Sequence, residues 1–474
     1  MNGILNAFPG LPKDEQKVEE KGDSSQKTAF IKALVSSLND FDKLLILLDC
    51  LLYILETFAK KNQIMTQPKW GHDDDYSAIK FWENKDLLII SCEKNGWSPK
   101  ARSFSNETED SISVDFELGK QYSQAKGFYF FGVFDGHGVN GIVNGKDHIS
   151  KICSEQLPNN IAKNLSRKHT NKEENIINAI KKGFEETEQY MKSKLVKEAR
   201  DAGCTALIAV LAPSKELFIA NIGDSPGFIS SKKVFSEQIT KEHDVHNKDE
   251  ILRLRQQKKE KDGVGFSIYR LAPGRREKSW ALDNTFSRGM QYTRSFGDFY
   301  IKEKAPKSLI SEPEITEKYD TKELNLLVLC SDGITNRLRA YRRMPTEVLL
   351  SYIKQHINSE NPLKPACYDL VRLCDLVSQS GFCIDDMSIL VIVFLNGKSL
   401  KKWCEDATKH AENPEDWLQY RPKDVDDVSE ISDEDLGEVD SPKSDNSSFD
   451  IYDTSNQYSI EEAEEFVDMT IPDI

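Results

Sequence analysis

The stretch Gly127 to Gly138, which reads GFYFFGVFDGHG, constrains the fold and the chemistry of this chain more than any other. Its first half is dense in aromatic and β-branched residues, a composition typical of a buried strand. Asp135-Gly136 then predicts a turn, because glycine supports turn conformations and aspartate bonds its own backbone. The sequence therefore places Asp135 and His137 at the end of a rigid strand, which is a favoured way of holding a reactive group. A strand followed by an ordinary turn is the plain alternative.

The charge of the chain is concentrated at one end. The formal net charge is -15, but residues 424–474 alone contain 18 acidic residues and one basic residue, a net of -17. The remaining 60 acidic and 62 basic residues leave the rest of the chain at +2. No basic excess marks a phosphate-binding surface, so a nucleic-acid partner is not expected.

The cysteines and the N-terminus favour an intracellular protein. The 9 cysteines make no C-x-x-C pair, which favours reduced, mostly buried thiols over a disulfide framework. The start of the chain lacks the basic region and long apolar core of a secretory signal, and Asn2 does not fit the myristoylation pattern. We expect a cytoplasmic protein, a nuclear protein or both.

Composition divides the chain into four parts. Residues 1–27 are expected to be disordered, and residues 28–75 to form a helical extension with a polar connector. The apolar run within residues 28–61 is shorter than the roughly 20 residues that a membrane span needs, which favours packing against the body or a partner helix. The main domain is expected at 86–411. The acidic, serine-rich residues 412–474 cannot bury enough apolar surface to offset ordering entropy, which predicts a disordered tail.

Carboxylates recur at the ends of the predicted strands of the main domain. Asp135, Asp224 and Asp332 each follow a strand, Asp385 precedes the last one, and Glu109-Asp110 precede the strand that begins at Ser111. Such carboxylates repel one another unless a cation lies between them. Oxygen ligands suit magnesium and manganese, and two such ions can clamp a hydroxide and a phosphoryl oxygen for in-line displacement. For any one of these residues, a turn or capping role is the alternative.

Seven segments resemble, in order, the motifs of the metal-dependent protein serine/threonine phosphatases of the 2C type. The resemblance covers about 86–395, and the segments read FFGVFDGHGV, GCTALIAVL, LFIANIGDS, ITKEHDVHN, TRSFGDFYIK, VLCSDGI and IDDMSILVIVF. It implies an α+β fold, a four-layer α-β-β-α sandwich of two antiparallel sheets flanked by helices. It also implies a Mn²⁺- or Mg²⁺-dependent hydrolase acting on phosphoserine and phosphothreonine of a phosphoprotein substrate, through a hydroxide that bridges two metal ions.

The same resemblance implies a role for each matching residue. Asp135 would bridge both ions and Gly136 would offer its carbonyl. The other residues implied in metal binding are Asp332 and Asp385 at one ion, Glu109 and Asp110 near the second, largely through water, and Asp224 and Thr205 at a weaker third site. His137 would protonate the leaving oxygen, a role that imidazolium can fill near neutral pH.

Several positions depart from the family pattern. The family's phosphate-binding arginine position holds Ser105, and Arg102, three residues earlier, is the candidate to bind the phosphate in its place if the loop is rearranged. Pro226, Thr335, Asn336 and Asp386 replace the usual arginine, tryptophan, aspartate and asparagine. Because arginine suits bidentate phosphate binding, these departures leave a second reading open, a catalytically impaired pseudophosphatase that serves as a scaffold. A third reading is inhibition by the acidic tail folding onto the basic segment near Arg275.

Overall fold

The computed structural model describes residues 79–95, 97–98, 103–104, 108–118, 120–138, 141–143, 147–165, 172–258, 266–270, 278–282, 290–316, 318–377 and 385–418. The chain divides into two units, Met1–Asp73 and Asp74–Ile474, and every described residue lies in the second. The expectations for residues 1–75, for Arg102 and for the tail beyond 418 lie outside the described residues. In the described ranges, no helix is long and apolar enough to cross a membrane.

Two antiparallel sheets form the centre of the domain. Among the described residues, the first sheet contains, in spatial order, β1 (Ile79–Glu83), β2 (Leu87–Lys94), β21 (Met387–Phe394), β20 (Leu324–Cys330), β13 (Gly227–Ser231) and β14 (Glu237–Gln238). The second contains β18 (Glu314–Ile315), β12 (Glu216–Ile222), β11 (Ala206–Leu211), β6 (Tyr129–Phe134) and β5 (Ser111–Asp115), and β19 (Tyr319–Asp320) also pairs with β12.

The alternation of side chains along β6 explains how the sheets pack. Phe131 and Val133 lie in the core between the two sheets, with Ile89 and Ile392 of the first sheet. Phe130 and Phe134 point the opposite way, into a core shared with the flanking helices. Both faces of the strand are therefore buried, and each fully buried phenylalanine contributes roughly 1.5–3 kcal/mol of hydrophobic stabilisation.

Helices cover the outer face of each sheet. Helices α1 (Ile149–Asn164) and α2 (Glu173–Lys194) share the core that contains Phe130. Helices α6 (Pro345–Gln355) and α7 (Leu363–Val377) pack on the first sheet. The other helices are α3 (Lys248–Lys258), α4 (Phe299–Lys304), α5 (Asp332–Leu338), α8 (Leu400–Ala407) and α9 (Pro414–Leu418). The four-layer α-β-β-α sandwich expected from the sequence is confirmed.

Short strands complete the described structure. Strands β17 (Phe296–Gly297), β10 (Ala202–Cys204) and β7 (Gly136–Gly138) form a small sheet at one end of the sandwich. Three hairpins pair β3 (Trp97–Ser98) with β4 (Ser103–Phe104), β8 (Ile142–Val143) with β9 (Asp147–His148), and β15 (Phe266–Arg270) with β16 (Lys278–Leu282). The third hairpin lies within residues 266–282.

The described elements extend beyond the domain boundaries of 86 and 411 expected from the sequence. Strand β1 begins at Ile79 and pairs with β2 over five residues. Helix α9 follows residue 411, and its Trp417 is buried against the rings of Tyr341 and Tyr352. A buried aromatic residue thus helps to hold a short helix at the start of a segment with an acidic composition.

Glu250 of α3 anchors the segment that leads into β17. Its carboxylate accepts hydrogen bonds from Arg253 Nη2 at 2.7 Å, Arg294 Nη2 at 2.5 Å and Thr293 Oγ1 at 2.6 Å. Burial alone would raise the pKa of Glu250, but the hydrogen bonds and charges of the two arginines lower it to about 2. The stability that Glu250 contributes is therefore present above its ordinary pKa and is lost as the pH falls towards 2.

We expect Glu250→Gln to lower the free energy of unfolding by roughly 3 kcal/mol at pH 7, because the pKa shift of this buried group corresponds to about that much stability. Urea unfolding of both proteins between pH 7 and pH 3 measures the difference, which should shrink below about pH 4.5. Glu323→Gln, which removes an exposed partner of Lys232, is the control and should change little. A difference that stays constant down to pH 3 would contradict this account.

Candidate active site

Asp135 is fixed through its backbone at the junction of β6 and β7. Its N–H donates to Thr205 Oγ1 at 3.2 Å, and its carbonyl accepts from the Thr205 N–H at 2.9 Å. Thr205 Oγ1 also lies 2.8 Å from Ser225 Oγ. Thr205, which lies between β10 and β11, thus fixes the backbone of Asp135 with both its main chain and its side chain.

Gly136 permits a close approach of the Glu109 backbone. A Cβ at position 136 would lie 2.2 Å from the Glu109 carbonyl oxygen. That carbonyl accepts a short hydrogen bond from Ser150 Oγ, and the Glu109 N–H donates to Asp386 Oδ2 at 2.5 Å. Asp386, which stands where the resemblance expects asparagine, therefore anchors the segment that carries Glu109.

Asp332 and Asp385 meet where β20 ends and β21 begins. The Ser331 N–H donates to the Ser388 carbonyl at 2.9 Å, which ties the two strands together beside them. Asn336, which stands where the resemblance expects aspartate, donates from Nδ2 to Asp332 Oδ2 at 2.9 Å. A neutral donor at this position orients the Asp332 carboxylate without adding another negative charge.

Asp135, Asp332 and Asp385 form one cluster of carboxyl groups, in which the charge of one raises the pKa of another. Burial and mutual repulsion raise the pKa of Asp135, which feels the charges of Asp110, Asp332 and Asp385. Burial, followed by the charge of Asp385, raises the pKa of Asp332. Asp385 is exposed at the rim of the cluster. The surrounding protein nevertheless desolvates its carboxyl group, and this desolvation and the charge of Asp386 raise its pKa.

Glu109 and Asp110 belong to the same cluster. Burial and the charge of Asp386 raise the pKa of Glu109 to about 7. Asp110 is 4% exposed, and neither of its carboxylate oxygens has a hydrogen-bond partner among the described residues, although the hydroxyls of Ser331 and Ser388 lie near enough to oppose the rise in its pKa. A buried carboxylate without a partner is costly, so the cluster calls for a positive charge.

The donor chemistry fits a hard divalent cation, since every candidate ligand in the cluster is an oxygen atom. The described residues contain no group of three or more His, Cys, Asp or Glu side chains arranged to hold a metal ion. The carboxylates therefore lie near one another but do not surround a common metal position.

His137 lies next to the cluster and contacts Asp298, which was not among the site residues predicted from the sequence. Its Nε2 lies 2.9 Å from Oδ2 of Asp298, and the same oxygen accepts from Ser295 Oγ at 2.6 Å. Burial alone would raise the pKa of Asp298, but the charge of His137 and these hydrogen bonds hold it below its ordinary value. The Tyr292 ring lies against the imidazole, with the ring centroids 4.4 Å apart.

Comparison with known proteins places the chain in a family. The family model of protein phosphatase 2C matches residues 96–377, which is more than half of the chain. The chain belongs to the protein phosphatase 2C family. The family expected from the sequence is thereby confirmed, and it assigns the chain to the hydrolase class of protein serine/threonine phosphatases.

Curated relatives agree with this assignment. Protein phosphatase 2C homolog 2 of Schizosaccharomyces pombe is 26% identical over 296 residues, which cover 60% of this chain and 69% of the relative. Protein phosphatase 1A of Bos taurus is 26% identical over 308 residues, which cover 62% of this chain and 69% of the relative. The first four relatives are matched over 59 to 69% of their own lengths. A solved structure, the serine-threonine phosphatase 2C of Toxoplasma gondii, is 16% identical with a TM-score of 0.49, and the match covers 67% of this chain and 98% of that one.

Asp224, a further candidate residue of this protein phosphatase 2C domain, lies beside the cluster, and its charge contributes to the raised pKa of Asp135. Asp224 is close to Glu242 and Asp244, and burial together with the charge of Glu242 raises its pKa to about 7. Glu242 and Asp244 were not identified from the sequence, although both lie in the ITKEHDVHN motif. Arg337 of α5 is near enough to lower the pKa of Asp385, so a cation does reach the rim. Arg102 and Ser105 lie outside the described residues.

Proposed function

We propose that this chain is a manganese- or magnesium-dependent phosphatase that hydrolyses phosphoserine and phosphothreonine in protein substrates. The observation that carries the proposal is the cluster of Asp110, Asp135, Asp332 and Asp385, in which the buried Asp110 carboxylate has no hydrogen-bond partner among the described residues. Without cations, an anionic phosphate ester would be repelled from such a cluster. Family membership supports the same class of substrate.

We assign each residue a role within this proposal. Asp135, the Gly136 carbonyl, Asp332 and Asp385 would hold one or both ions directly, and Glu109 and Asp110 would act nearby, partly through water. Asp224 would serve a weaker third site, with Thr205 beside it. The chemistry supplied by bound ions is neutralisation of the phosphoryl oxygens and a lowered pKa of water. Arg102, or another cation at the rim, would bind the substrate phosphate.

His137 supplies the proton in this mechanism. Water attacks phosphorus in line with the ester bond, without a phospho-enzyme, and the bond to the serine or threonine oxygen breaks. An alkoxide is a poor leaving group, so a proton donated by the imidazolium as the bond breaks lowers the barrier. The small sheet that contains β7 holds the ring beside the carboxylates.

Phosphate release from a phosphothreonine peptide tests the proposal. The purified chain with added Mn²⁺ should turn over, and both a chelator and Asp332→Asn should reduce the rate about 10²-fold or more, because each removes charge stabilisation worth several kcal/mol. Circular dichroism of the variant checks that it is folded. No turnover by the folded wild type with either Mn²⁺ or Mg²⁺ would overturn the proposal in favour of a 2C-type scaffold without catalysis.

A further inference from the structure

The contact between His137 and Asp298 is built into the fold. Both side chains are largely buried, with 20% and 7% of their surfaces exposed. The Asp298 N–H donates to the Ala202 carbonyl at 3.0 Å, and Asp298 adopts a left-handed backbone conformation with φ of 52°. The Lys302 ammonium donates to the Ser295 carbonyl at 2.8 Å, and this hydrogen bond links the residues on either side of Asp298. The carboxylate is thus aimed at the imidazole by a rigid loop.

Gly203 leaves the space in which the two side chains meet. It lies in β10 between the two outer strands of the small sheet, opposite His137 on one side and Gly297 on the other. A Cβ at this position would lie 2.5 Å from Asp298 Oδ2 and 2.9 Å from His137 Nε2. The small sheet therefore joins the histidine strand to the aspartate segment around a position where a side chain would obstruct their contact.

We infer that Asp298 is the positioning residue of the general acid. By accepting the Nε2–H of His137, its carboxylate fixes the tautomer and the orientation of the ring, so that Nδ1 is the nitrogen that transfers the proton. The Nδ1 proton passes to the leaving serine or threonine oxygen as its bond to phosphorus breaks. The Nε2 proton stays on the ring, hydrogen-bonded to the Asp298 carboxylate, and Nδ1 regains a proton from solvent. The inference rests on the proposed function.

Leaving-group dependence separates this role from a structural one. Asp298→Asn keeps the shape of the side chain, and asparagine tolerates the left-handed conformation. The variant should lose about 10²-fold in kcat on a phosphothreonine peptide, whose alkoxide needs the proton, and less than about 3-fold on p-nitrophenyl phosphate, whose phenolate does not. Asp369→Asn is the matched control, since it removes the partner of His356 in an Nε2···Oδ2 contact of 2.6 Å remote from the cluster. It should change neither rate.

The tautomer of His137 is a readout that needs no turnover. In the neutral ring, ¹⁵N NMR should find the proton on Nε2 in the wild type and a different distribution of the tautomers in Asp298→Asn. An unchanged tautomer, or equal losses on both phosphate esters, would overturn the inference. A wild type that turns over neither ester but shows the Asp298-dependent tautomer would instead overturn the proposed function and leave the pairing of the two residues established.

Discussion

Asp135→Asn is expected to abolish metal-dependent phosphatase activity while raising the melting temperature of the metal-free protein. The activity should fall about 10³-fold or more, because the loss of several kcal/mol of charge stabilisation corresponds to that factor. The rise in stability has a different cause. Asp135 is repelled by Asp110, Asp332, Asp385 and Asp224, so a neutral amide of the same shape relieves four unfavourable interactions in the metal-free state.

We expect a gain of about 1–2 kcal/mol in the free energy of unfolding, which corresponds to a few degrees in melting temperature. Thermal unfolding with a chelator and with Mn²⁺ measures both parts of the prediction. Mn²⁺ should raise the melting temperature of the wild type by mass action and should raise that of Asp135→Asn much less. Asp249→Asn, which neutralises an exposed partner of Lys241, is the control and should leave both quantities unchanged. A variant less stable than the wild type in chelator would show that Asp135 is structural.

The cluster could be predicted from the sequence because each member follows a strong local pattern. Asp135 directly follows a dense apolar strand, and Asp332 lies two residues after the end of another. Asp385 lies two residues before Met387, where the last strand begins. The relation of Glu109 to Asp386 could not be predicted in the same way. It depends on a hydrogen bond between residues 277 positions apart, at a place where the family pattern expects a different side chain.

The partner of His137 was missed for a related reason. Asp298 lies 161 positions away, and the sheet that joins them consists of strands of only two or three residues. Such strands carry too few side chains to produce an alternating pattern. The start of α5 at Asp332 was also not predicted, because Ser331-Asp332-Gly333 reads as a turn until the helix that follows is known. Long, apolar strands can be recognised in a sequence, whereas the pairing of short strands depends on the assembled fold.

Gly203→Ala tests whether the small sheet is as tightly built as its geometry indicates. The added Cβ would lie 2.2 Å from the Phe296 carbonyl oxygen, which is backbone and cannot rotate away. Relief therefore requires β10 and β17 to separate, at a cost of about 1–3 kcal/mol or more. Because the same Cβ would meet both Asp298 Oδ2 and His137 Nε2, the contact between those side chains must also lengthen.

We therefore expect Gly203→Ala to lower the free energy of unfolding and to reduce turnover of a phosphothreonine peptide at least 10²-fold, which is the usual contribution of a general acid. Urea unfolding and phosphate release at a temperature where the variant is folded measure the two effects. Gly227→Ala is the matched control, because Gly227 also lies in a strand and its added Cβ would meet its nearest neighbour at 3.4 Å. Full activity in a destabilised Gly203→Ala protein would mean that His137 works without its contact to Asp298. Loss of activity with unchanged stability would mean that the small sheet accommodates the added Cβ at little cost. The glycine would then be needed for the contact between His137 and Asp298.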